Sequence, residues 1–120
     1  MYDHLTLRVK DIARSRKFYE SALKPLGITM KSSDDEGAGF GNDEIDFWIV
    51  AGTPVSHAVH IAFRSESRDT VKAFYTAAME AGGKDNGGPG LRSAYSATYY
   101  AAFVYDPDGN NIEAVCHKSK

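Results

Sequence analysis

The feature that most constrains this chain is an internal repeat. The segment from His4 to Leu23 lies on the segment from His60 to Met79 at a constant offset of 56 residues, without a gap. His4 matches His60, Arg8 matches Arg64, Phe18-Tyr19 matches Phe74-Tyr75, Ala22 matches Ala78, and Gly27 matches Gly83. Asp11 and Ser67 stand at the same offset, each where an alternating stretch gives way to a helical period, and both are good helix N-caps. The two glycines fall where a helix C-terminus favours positive φ. A repeat of this length specifies two copies of one β-α unit, each needing the other to bury its apolar face.

Local patterns extend each copy. Leu5, Leu7 and Val9 alternate with His4, Thr6 and Arg8, the period of a strand with one apolar face. Ile12, Tyr19, Ala22, Leu23 and Leu26 follow helical spacing, as do Val71, Phe74, Tyr75, Ala78 and Met79. Strand-like pieces then run over 28–31, 38–41 and 44–51, separated by Ser, Asp and Gly clusters. In the second copy a short piece near Lys84 precedes the loop Asn86-Gly-Gly-Pro-Gly90, and 97–105 and 111–117 form a hairpin through Asp106-Pro-Asp-Gly109. The expected architecture is α+β: two tandem βαβββ modules, 1–53 and 54–120, forming curved mixed sheets in a single domain.

Composition excludes several functions. Fourteen Lys and Arg against sixteen Asp and Glu give a net charge of -2, without the basic excess that phosphate-backbone binding demands. No apolar stretch approaches the ~20 residues of a membrane span. The opening residues carry no apolar core of signal-peptide type, and the single Cys116 cannot close an internal disulfide, so a reducing cytoplasm is the expected compartment.

Side-chain alternation locates the chemistry. Helices cover one face of each sheet, so the apolar side of each strand must meet them and the other side is left open. His4, Thr6 and Arg8 then face away from the helix, as do His60, Ala62 and Arg64. Asp46, Trp48 and Val50 share that face in the fourth strand, and Glu113, Val115 and His117 in the last. Two imidazoles and two carboxylates thus reach one surface. Neutral imidazoles plus carboxylates, with coordination positions left open, suit a divalent transition metal acting as a Lewis acid.

The pattern His4-x-x-Leu-Arg-Val-x-Asp11, followed by His60-Ile-Ala-Phe and ending in Asp106-Pro-Asp-Gly-Asn-x-Ile-Glu113, resembles the vicinal oxygen chelate superfamily over essentially the whole chain. That superfamily holds glyoxalase I, fosfomycin-resistance thiol transferases, extradiol dioxygenases and metal-free bleomycin-binding proteins. The resemblance implies a glyoxalase-like fold, with His4, His60 and Glu113 at metal-ligand positions. The ion it implies is Zn, Ni, Mn, Fe or Co. Glyoxalase I has a further Glu in the fourth strand of its first half; Asp46 is the nearest match here, with a register placing Trp48 there as the alternative. Arg8 matches an Arg that glyoxalases use on a glutathione carboxylate. The resemblance also implies a homodimer whose sites draw on both subunits, with His60 from one chain and His4 and Glu113 from the other.

Other candidates sort by parity. Trp48 and Tyr100 are the expected pocket aromatics, whereas Phe40, Tyr95 and Tyr99 read more simply as packing. Arg8 and Arg64 could hold an anionic tail. His57 falls in the loop entering the second copy. His117 lies about 13 Å along the strand from Glu113, too far to share an ion. Cys116 has the parity of Ile112 and reads as a buried small residue. The glycine-rich loop lacks the Lys-Ser/Thr of a P-loop and reads as a pocket edge. The leading expectation is a lyase or isomerase of glyoxalase type that chelates a small oxygenated substrate, such as a thiol adduct, and stabilises an enediolate or alkoxide, with Glu113 as base. The alternatives are a metal-free drug-binding protein and a thiol transferase acting on an epoxide antibiotic.

Overall fold

The computed structural model describes residues 1–119. Strand β1 (Leu5–Val9) leads into helix α1 (Ile12–Leu23), a 3₁₀ turn (Lys24–Leu26) and strands β2 (Thr29–Ser33), β3 (Gly37–Gly41) and β4 (Ile45–Ala51). The second half follows the same order with one strand more, two short strands standing in the place of β2: β5 (His60–Arg64), α2 (Arg68–Glu80), β6 (Lys84–Asp85), β7 (Gly90–Leu91), β8 (Tyr100–Tyr105) and β9 (Asn111–Cys116). One sheet runs β1-β4-β3-β2. The other runs β5-β9-β8-β6, with β7 also paired to β8. In each, the first strand of the copy lies parallel to the last while the remaining pairs are antiparallel. The fold is the mixed α+β arrangement of two βαβββ modules expected from the repeat and is glyoxalase-like as the resemblance implies, with no closed barrel among the described residues. Among the described residues no helix is long and apolar enough to cross a membrane.

Both helix starts follow from their caps. The Asp11 carboxylate accepts from the Arg14 N–H, and Ser67 with Thr70 closes a reciprocal capping box, which satisfies amides that no helical turn can reach. The stops differ. Gly27 takes φ +79 as expected, but in the second copy Gly82, not Gly83, takes the positive φ of +100. Gly83 is required for closeness instead: a Cβ there would lie 2.4 Å from Val104 Cγ1 and 2.8 Å from the Ala78 carbonyl.

The helices bury Phe18, Tyr19, Ala22 and Leu23 of α1 and Val71, Phe74 and Ala78 of α2. Tyr19 meets Phe47 edge-on at 5.0 Å, and Phe47 meets Phe63 of the second half at 5.6 Å. One apolar core therefore spans both copies. Phe40, read from the sequence as packing, is fully buried within it.

A polar knot sits at the hairpin turn. Asp106 is buried and accepts from the N–H groups of Asp108 and Asn110, from Asn110 Nδ2 and from the Tyr19 phenol. Asn110, also buried, donates to the Ser56 carbonyl at 3.1 Å and accepts from the Val59 N–H at 3.0 Å. One side chain thus ties the turn before β9 to the segment entering β5. The Asn111 N–H to Val59 carbonyl bond, 2.8 Å, continues the seam.

Asn110→Ala is expected to lower unfolding free energy by about 2–4 kcal/mol in urea titrations, because it strands several buried partners at once. Burial, and then the neighbouring Asp106 charge, push the Tyr19 phenol well above its ordinary value of 10.0. Folding therefore favours the protonated phenol: its contribution is complete below pH 10.0 and fades as alkali titrates the folded state. Tyr19→Phe should be less stable near neutrality and lose less additional stability above pH 10.0 than the parent, as read by denaturant midpoints across pH.

Candidate functional site

Because β5 and β9 are neighbours and parallel, His60 lies level with Asn111 and Ala62 with Glu113, all on the face away from the helices. From its strand the His60 ring reaches along the sheet, and its Nε2 comes within 2.7 Å of Glu113 Oε1. The two groups differ in access. His60 has about half of its side chain exposed, whereas Glu113 is 1% exposed. A carboxylate so enclosed requires donors on both oxygens. The second donor is the phenol of Tyr99, which bonds Oε2. Burial, followed by the bond to Glu113, pushes the Tyr99 phenol up to about 12, so it remains a donor through the neutral range.

Tyr99 was not among the expected site residues; Tyr100 was. In the structure Tyr100 pairs with Cys116 on the helix side, where the Arg68 guanidinium at the start of α2 stacks over its ring at 5.0 Å. The 100–105 run is apolar or aromatic on both faces, so alternation did not distinguish them. The usable signal was register: Phe103 pairs with Glu113, which gives Ala101 and then Tyr99 the same parity as the carboxylate.

His4 occupies the corresponding edge of the first sheet. It is half exposed, and its Nδ1 lies 2.7 Å from Asp3 Oδ1. His4 and Asp46 line a crevice of about 200 Å³ with Leu5, Phe47 and Ile61–Phe63; His60 opens onto an adjoining one of about 540 Å³ along the same β1–β5 seam. Among the described residues no three His, Cys, Asp or Glu side chains gather closely enough within one chain to hold an ion. The expected grouping of His4 with Glu113, and His60 apart, is therefore corrected. The β5–β9 pairing puts His60 and Glu113 together in one protomer, with His4 elsewhere. Imidazole nitrogen beside carboxylate oxygen is a donor pair that fits a first-row divalent ion.

Asp46 requires a second correction. Thr6 is level with Trp48, as Ala62 is with Glu113, and Thr6 and Ala62 are repeat mates. Trp48 thus holds the seat that Glu113 has in the other half. Asp46 is the extra residue where Phe40 pairs with Phe47 but Gly41 with Ile45, and it is exposed. Trp48 lies over Gly39, where a Cβ would come within 2.8 Å of the indole.

The two arginines diverge in their surroundings. Arg8 is tied to the connection between halves, its Nε donating to the Pro54 carbonyl at 3.0 Å and its backbone N–H to Ser56 Oγ at 2.9 Å. Arg64 is exposed on the open face of β5. His57 is exposed in the connection, and Cys116 is buried as expected. His117 stands 5.3 Å from the Tyr99 ring, edge-on.

Comparison with known proteins is consistent with this geometry. The chain is 28% identical to a glyoxalase/bleomycin resistance protein from Albidiferax ferrireducens, superposing with a TM-score of 0.85 over 98% of this chain and 99% of that one. It shares its fold with the fosfomycin resistance protein FosX from Mesorhizobium loti, at 18% identity and a TM-score of 0.72, covering 98% and 92% of the two chains. Among curated proteins it is 26% identical to Virulence protein STM3117 of Salmonella typhimurium across 92% of this chain and 80% of that relative. The family model for the Glyoxalase/Bleomycin resistance protein/Dioxygenase superfamily matches residues 2–114, and the chain belongs to that superfamily.

Proposed function

We propose that the protein is a metal-dependent enzyme of glyoxalase type, acting on a small substrate that offers two oxygens. The observation that carries this reading is the buried Glu113 carboxylate facing His60 at 2.7 Å on the open side of the sheet. Burying a carboxylate costs several kcal/mol, and in the absence of a functional role an apolar residue would fill this seat between Ala62 and Phe103 more stably. The ion would be held by His60 and Glu113 of one protomer and His4 of a second copy. It would supply Lewis acidity toward negative charge developing on substrate oxygen.

The chain's own groups have separable roles. Glu113 would be the acid–base group that removes a proton next to the substrate carbonyl. His60 places Nε2 beside Glu113 Oε1, and that nitrogen would hold the ion together with the carboxylate. Arg64, extending from the same face of β5, receives an anionic tail, and Arg8 serves from the first half. Trp48 in the fourth seat makes a three-ligand set, which leaves more positions for substrate oxygens than a four-ligand one, and its indole forms a wall.

Metal analysis tests the reading first. Near-stoichiometric divalent metal is expected in the parent and should be lost in His60→Ala, His4→Ala and Glu113→Gln; protein that stays metal-free after soaking would instead support a drug-binding module. Assays of hemithioacetal isomerisation against epoxide opening then separate a lyase from a thiol transferase.

Subunit sharing has its own test. In a C₂ dimer with sites built across the interface, refolding His4→Ala together with Glu113→Gln chains restores one intact site per mixed dimer, about a quarter of the parent metal content at random mixing. A site contained within one chain would restore none.

A further inference from the structure

Glu113 presents two oxygens, and a metal-ligating carboxylate can bind through one or both. Which it does depends on what holds the other oxygen. Here Oε1 faces His60 and Oε2 is taken by the Tyr99 phenol. Tyr99 does not belong to a strand; it closes the loop between β7 and β8, and its phenol reaches Glu113 on the open face of the second sheet. Its carbonyl accepts from the Arg92 N–H at 2.7 Å, fastening the two ends of that loop.

Arg92 is the brace. Its guanidinium stacks on Phe103 at 5.2 Å while Nη1 and Nη2 donate to the carbonyls of Gly90 and Gly88, each at 2.8 Å. Phe103 is in turn the cross-strand partner of Glu113. The Tyr99 ring is held edge-on between Tyr95, 5.0 Å away, and His117. The phenol is therefore positioned by a packed frame, and the frame is referenced to the strand that carries the carboxylate.

We propose that Tyr99 is a positioning residue that reserves Glu113 Oε2, so that the carboxylate offers Oε1 alone on the side of His60. This rests on the metal-dependent reading above. Arg92 contributes by holding the loop. With the phenol removed, Oε2 is released, the carboxylate is free to turn, and both the affinity of the site for a divalent ion and the geometry of the bound ion change.

Co²⁺ titration of the metal-free protein, followed by its visible absorption and alongside thermal unfolding without metal, provides the test. Tyr99→Phe keeps the ring stack and should weaken Co²⁺ binding about 10- to 100-fold, the usual size for loss of a partner behind a ligand, with altered d–d bands. Tyr95→Phe, in the same loop without contact to Glu113, should leave both unchanged. Arg92→Lys keeps the phenol but loosens the frame, and should shift affinity in the same direction by less; it also serves if Tyr99→Phe folds poorly.

A purely structural role for Tyr99 would lower the unfolding temperature while affinity and spectrum stay at parent values, and that result overturns the proposal while leaving the metal-dependent reading intact. A parent protein that takes up no Co²⁺ overturns both.

Discussion

The parallel pairing of β5 with β9 is the constraint on which the candidate site depends. Parallel neighbours cannot be joined by a tight turn, so their register has to be set by something other than a hairpin. In this chain Asn110 does it, bonding the backbone on either side of the entry to β5 while Asp106 holds the turn that delivers β9. A slip of one residue would turn Glu113 toward the helices and Ile112 toward the open face. The Asp-Pro-Asp-Gly-Asn run is thus a register device first, and the carboxylate three residues beyond Asn110 is useful because that device works.

Register alone does not explain why an acid is tolerated at this depth. Glu113 is 1% exposed, lies level with Ala62 and Phe103 on the neighbouring strands, and is met by the Tyr99 phenol. Its two donors offset part of the desolvation, yet such an arrangement is seldom the most stable one available to a core. The fold accommodates this by separating tasks: the aromatic core of Tyr19, Phe47 and Phe63 is continuous on the helix side, and the buried carboxylate with its two donors lies on the opposite face. Local disagreement with stability rules, isolated on one face of an otherwise consistent structure, is what makes that face the candidate site.

How much of this was legible in the sequence follows the range of each determinant. The repeat, the two caps, the helix faces and the open-face parity of His4, His60 and Glu113 depend on near neighbours along the chain, and those elements formed where expected. Pairing of His60 with Glu113 depended on which strands become adjacent, which alternation does not report. Whether Asp46 or Trp48 takes the seat opposite Thr6 depended on the register of the parallel β1–β4 pair, which two residues of equal parity on one strand do not report. Tyr99 was hidden because it lies just before β8, whose apolar run carries no polar period from which its parity could be read.

The exchange at Trp48 also explains why two copies of one unit need not make two copies of one function. Repeat mates Thr6 and Ala62 are both small, so each leaves room beside it for whatever the parallel neighbour carries. In the second half that neighbour is an acid, covered by the loop through Arg92 and Tyr99. In the first half it is an indole, seated on Gly39, where no side chain competes for the space. Histidine is kept at the matching edge position of both halves, while the seat two residues further along is charged in one and apolar in the other. Duplicated backbones therefore supply a symmetric frame, and a single asymmetric substitution divides it into a donor side and a wall, which is the division a site needs if it is to hold an ion on one flank and a substrate on the other.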